Sequence, residues 1–144
     1  FSVLLPPISG SASAFSGAEY WPEAQALIFT ASVEAKAPDA PKGKRLASAL
    51  GLIDLDALRT DAPLDLRPRT TVMRADERTL HTKAESLIIT QSNACQIHGT
   101  LVSDNDDGRS VFRAFTLTQD APATGRVTCP ESRENERQPR FLFR

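Results

Sequence analysis

Four side chains in the chain could hold a soft metal or serve as a nucleophile with its base: His81, Cys95, His98 and Cys129. Cys95 and His98 are three residues apart, a spacing that lets two side chains reach one ion. A zinc module carries a second tight pair, whereas here His81 lies fourteen residues before Cys95 and Cys129 thirty-one after His98. The pattern therefore names no metal, and none is expected. Nucleophilic catalysis needs a base beside Ser or Cys. No G-x-S-x-G elbow occurs, and His98 falls in a strand-like run between Ile97 and Gly99. Glycine-rich phosphate loops and dinucleotide fingerprints are absent as well, so no cofactor is expected.

Asp104-Asn105-Asp106-Asp107-Gly108 invites a calcium reading. An EF-hand loop with Gly at its sixth position would start at Ser103 and end at Ala114, and neither can act as the required ligand. A hairpin turn is the simpler account, because Asn, Asp and Gly tolerate the left-handed backbone that tight turns use. No carboxylate pair stands out among the 18 acidic residues.

Cys95 and Cys129 each sit beside a strand-like run, Ser86–Gln91 and Gly125–Cys129 respectively. The sequence predicts a single disulfide between them. It would close a loop of 35 residues, which the chain-entropy argument values at about 3.8 kcal/mol. A structural disulfide places the chain outside the cytoplasm, in the periplasm or secreted. Phe1–Leu5 with Ala12-Ser-Ala14 has a superficial likeness to a leader and its cleavage site. The missing basic flank and the break at Pro6-Pro7 favour an ordered segment.

The balance of 17 basic and 18 acidic residues leaves a net charge of −1, which gives no footprint for nucleic acid. Arg133, Arg137, Arg140 and Arg144 interleave with Glu131, Glu134 and Glu136, the mark of a solvated face. No run approaches the roughly 20 apolar residues of a membrane-spanning helix.

The elements that must position these groups are mostly strands. At 144 residues one domain is expected. Leu27–Ala35 alternates with period two, as a strand with one buried face does. Thr70–Arg74, Thr79–Lys83, Ser86–Gln91, Gln96–Ser103 and Ser110–Gln119 are rich in β-formers, and residues 96–119 read as a hairpin. Leu46, Ala49, Leu50 and Ile53 fall at spacings of three and four, which predicts a helix over residues ~44–59. The expected fold is mainly β with one short helical segment (α+β), as a single antiparallel sandwich or barrel-like domain. No internal repeat is visible.

The expected division is an extended arm over residues 1–22, a β-rich core over 23–129, and a polar linker with an apolar tail over 130–144. Both ends carry aromatic groups: Tyr20 and Trp21 before Pro22, and Phe141, Leu142 and Phe143 at the tail. Aromatic residues are favoured interface anchors, and an apolar tip beyond a charged linker suits strand addition to another sheet. The sequence thus favours a non-catalytic accessory subunit of a larger extracytoplasmic protein complex. The alternatives are a small secreted hydrolase using acidic residues near Asp104–Asp107 with His98, and a secreted inhibitor or immunity-type protein.

Overall fold

In a computed structural model, the described residues are 2–36, 44–59, 62–75, 78–104, 109–118 and 140–143. Two four-stranded antiparallel sheets carry the fold. The first contains β2 (Ala14–Trp21), β3 (Ala26–Lys36), β4 (Lys44–Asp54) and β6 (Thr70–Val72), side by side in that order. The second contains β9 (Ala84–Ser92), β10 (Gln96–Asp104), β11 (Ser110–Thr118) and β12 (Arg140–Phe143), again in chain order. Two minor pairs complete the list: β1 (Val3–Leu4) runs parallel to β5 (Leu64–Asp65), and β7 (Arg74–Ala75) pairs with β8 (Arg78–Thr79). The mainly β, sandwich-like class expected from the sequence is what the chain adopts.

Layering follows from side-chain parity, since alternate residues of a strand face opposite sides. Ala26 and Ile28 of β3, with Leu50 and Leu52 of β4, face the second sheet. There they meet Leu87, Ile97, Leu101, Phe115 and Leu117 in the main core. The opposite parity carries Phe29, Ala31, Val33, Ala47, Ala49 and Ile53. That face is covered by Ile8 of the N-terminal segment and by Leu66. The first sheet is therefore buried on both sides, which explains the unbroken apolar and small residues of β3 and β4.

The helix expected over 44–59 does not form. Residues Lys44–Asp54 are a strand, paired along their whole length with β3, and only Leu55–Arg59 makes a short 3₁₀ turn. Leu46, Ala49, Leu50 and Ile53 fit a helical spacing by accident. A strand buried on both faces needs no alternation, so its apolar run cannot be told from a helix by period alone. The boundary placed at residue 22 moves too: Ala14–Trp21 is not an arm but the first strand of the first sheet.

The sheets are stitched where β2 and β9 approach. Gly17 allows the approach, because a Cβ there would lie 3.1 Å from the Glu85 carbonyl oxygen and from Ser86 Cα. Beside it runs a ladder of hydroxyls. Ser16 Oγ donates to Thr30 Oγ1 (3.0 Å), and the hydroxyl oxygens of Ser32 and Ser48 lie 2.7 Å apart, within reach of each other as an alternative to the carbonyls they face. Ser32 Oγ donates to the Ala84 carbonyl (2.9 Å) and Ser48 Oγ to the Thr82 carbonyl (2.9 Å). The Ala84 N–H in turn donates to Ser48 Oγ (2.8 Å). Small polar residues here satisfy backbone groups that a wholly apolar seam would strand.

Candidate functional site

Among the described residues, those singled out by chemistry do not converge. His98 is exposed on β10, its Nδ1 3.0 Å from Thr116 Oγ1, and His81 is exposed in the segment before β9. Among the described residues no group of three or more His, Cys, Asp or Glu side chains could hold a metal. Asp104 ends β10 opposite Ser110, so 96–118 is the expected hairpin. Residues 105–108, with the acidic cluster's tip, lie outside the described residues.

Cys95 sits in the β9–β10 turn, where Asn93 Oδ1 accepts from its N–H (2.9 Å) and from that of Gln96 (2.9 Å). Cys95 is not a free thiol. Cys129 lies outside the described residues.

The aromatic anchors separate sharply. Trp21 does not face outward as expected: it is 0 % exposed, in the core between the sheets. Its Nε1 donates to the Asn93 carbonyl at 2.8 Å. Parity is the reason, since Trp21 pairs with Ala26 and points with it toward the second sheet. Tyr20, one residue earlier, takes the opposite side and is 42 % exposed, its hydroxyl accepting from Gln25 Nε2 (2.8 Å). The tail adds to the chain's own second sheet. Arg140–Phe143 pairs antiparallel with β11, with Phe141 opposite Leu117, Leu142 opposite Thr116 and Phe143 opposite Phe115.

What sequence reasoning missed is the outer face of the second sheet. On β11, Val111, Phe115 and Leu117 share one parity with buried Ile97, Gly99 and Leu101 of β10. Phe112 has the other parity and is 70 % exposed. Its cross-strand partner is Val102, and next to them Ala114, Thr100 and Ile88 form a second row. Ile88 is 55 % exposed. These five residues are uncharged, and cross-strand neighbours of this kind sit about 5 Å apart. The result is an uncharged strip, apolar but for Thr100, that holds the two most exposed of the large apolar residues, ahead of Leu4, Phe15, Tyr20 and Leu58 elsewhere. Its signal was present in the sequence: Phe112 and Ile88 are large apolar residues out of phase with the buried parity of their own strands.

The comparison with known families adds one result. Residues 1–117 match the family described as a family of unknown function (DUF6929). The chain belongs to that family. No curated protein and no solved structure matches it. In this DUF6929 chain the matched span takes in the whole first sheet and the strands β9, β10 and most of β11, which carry the apolar strip.

Near the opposite side of the molecule an exposed ion pair is set by local backbone. Asp65 ends β5, and Arg67 two residues on grips both carboxylate oxygens, Nε at 2.8 Å and Nη2 at 2.6 Å. The Arg67 side chain, aided by the Arg67 backbone N–H, holds the Asp65 carboxyl down at about 2. A solvent-exposed pair of this kind is a local latch and contributes little to stability.

Proposed function

We propose that this protein is a non-catalytic interaction module, an accessory subunit of a larger extracytoplasmic protein assembly, docking through the outer face of its second sheet. The observation that carries the reading is the exposure of Phe112, beside Val102, and of Ile88, two strands away on the same sheet face. Exposed large apolar groups clustered on one face mark contact surfaces, whereas scattered ones do not. Burying a Phe and an Ile side chain on a partner is worth about 1.5–3 kcal/mol each, enough to make them the centre of an interface. Cys95, bound rather than free, supports a Cys95–Cys129 bridge and with it the extracytoplasmic setting.

The role proposed at the sequence level thus keeps its class but changes its surface. Trp21 and the tail strand serve the chain's own core and sheet. The test is native mass spectrometry of the protein purified from its source envelope fraction, beside a Phe112→Asp variant. A stoichiometric complex above the 15.7 kDa of the chain, lost in the variant, supports the reading. A 15.7 kDa species in both preparations refutes it.

A further inference from the structure

We infer that the apolar face of the second sheet takes a further four-stranded antiparallel sheet of the same build, one lying outside these 144 residues. This deepens the docking reading and rests on it. The ground is a repeat in the fold that the sequence does not display. Each sheet is laid down in chain order from one edge, β2-β3-β4-β6 and then β9-β10-β11-β12. The first strands of the two meet at Gly17, against the backbone of Glu85 and Ser86. Further out the gap is filled by Leu50 and Leu52 of one sheet and by Leu101, Phe115 and Leu117 of the other. The gap is narrowest at Gly17, and the large residues of the later strands, with Trp21 and Leu87 of the first strands, fill it elsewhere, so the two sheets make a wedge that opens away from Gly17. Successive blades of a β-propeller, each a four-stranded sheet, sit around their axis in this way.

A second marker fixes the direction of the repeat. In each sheet a Phe ring lies over a Gly on the neighbouring central strand: Phe29 over Gly51, and Phe115 over Gly99. Phe115 faces the first sheet, the layer that precedes it. Phe29 faces away from the second sheet, toward Leu66 and Val3. The Phe stands on the second strand of the first sheet and on the third strand of the second, so the pairs are not position-for-position repeats, but both rings look the same way along the stack, as in sheets related by a step rather than by face-to-face symmetry.

Under that step, the face bearing Ile88, Val102 and Phe112 corresponds to the first-sheet face bearing Ile28 and Leu50, which the second sheet covers. One more step of the same repeat sets a sheet on it, Phe-over-Gly side inward. A second copy of this chain offers no such surface ready for use, because on its first sheet that side is already covered by Ile8 and Leu66, both buried.

The test places a photoreactive group in the face itself. Phe112→p-benzoyl-phenylalanine, a tolerable change at a position 70 % exposed, is introduced into the protein expressed in its source organism. After irradiation, the peptide joined to it is sequenced by mass spectrometry. The expected adduct maps outside residues 1–144, to a segment whose apolar residues recur with period two. A second variant carrying Ile88→Asp as well should lower the adduct yield at least about tenfold, because an unpaired charge would be buried in the contact. The same probe at exposed Glu23 should give no such adduct. An adduct to a second copy of residues 1–144, to lipid, or to a segment of helical period would overturn the inference. The copy and the helical segment would leave the docking reading standing. No adduct at position 112, nor at 88 when probed in the same way, would remove both.

Discussion

Trp21 Nε1 donates to the Asn93 carbonyl at 2.8 Å, joining the last residue of the first sheet's edge strand to the β9–β10 turn. The same asparagine organises that turn, its Oδ1 accepting from Cys95 and Gln96. One bond thus links the two sheets to the cysteine-bearing loop. Trp21→Phe keeps most of the apolar volume but leaves the Asn93 carbonyl short of its donor. It should lower unfolding stability by about 1–3 kcal/mol, read from urea midpoints. The chain holds a single Trp, so wild-type emission should be blue-shifted in the fold and move to the red on unfolding.

Two buried serines should behave in opposite ways. Ser48 Oγ supports the Ala84 N–H and reaches the Thr82 carbonyl, so Ser48→Ala strips a buried donor of its acceptor. The expected cost is about 1–3 kcal/mol. Ser103 Oγ is buried with no hydrogen-bond partner among the described residues. Ser103→Ala should be neutral or stabilising, since it removes an uncompensated polar atom. Thermal midpoints of the two variants, measured side by side, check the contrast.

Asp65 should titrate far below an ordinary carboxylate. Its pKa is lowered from 3.8 to about 2 by the Arg67 side chain first and the Arg67 N–H second. A depressed folded-state pKa gives a contribution that is present above about 3.8 and is lost as pH falls toward 2. Carboxyl chemical shifts followed by NMR should show that midpoint, and Arg67→Ala should move it back up. The pair is exposed, so unfolding stability at neutral pH should hardly change in that variant.

Cys95 should be found joined to Cys129. Non-reducing peptide mapping should recover a Cys95–Cys129 linked pair and no alkylated thiol. Reduction should lower stability by up to about 3.8 kcal/mol, the loop-entropy value for a 35-residue closure. Full alkylation of both thiols in the native protein would contradict the bridge and the compartment proposed from it.

Much of the β architecture could be read from residue order. The strand around Leu27–Ala35 forms where period two places it, although both its faces are buried and not one, and the hairpin over 96–119 is paired as read. Reading failed where burial was two-sided: Leu46–Ile53 carries no alternation because both faces of β4 are covered, so a helical spacing looked real. It failed again at Trp21, whose side depends on which parity of β2 faces the second sheet, a tertiary fact. The repeat was invisible because its markers sit on different strands: Phe29 leads Gly51 in one sheet, while Gly99 leads Phe115 in the other. Only the strand pairing shows that each Phe faces a Gly across the two central strands of its sheet. The docking face was legible in part, through the out-of-phase Phe112 and Ile88. What made it a site, exposure across three adjacent strands, required the register.

Hydroxyl-radical footprinting of Phe112 tests the central claim most directly. The isolated chain and the protein in its native envelope fraction are oxidised under one dose, with buried Trp21 as the internal reference. Phe112 should oxidise freely in the isolated chain and be protected about tenfold or more in the native preparation, the factor expected for 1.4 kcal/mol of occupancy. Trp21 should stay protected in both. Equal oxidation of Phe112 in the two preparations would contradict the claim that this face is a docking surface.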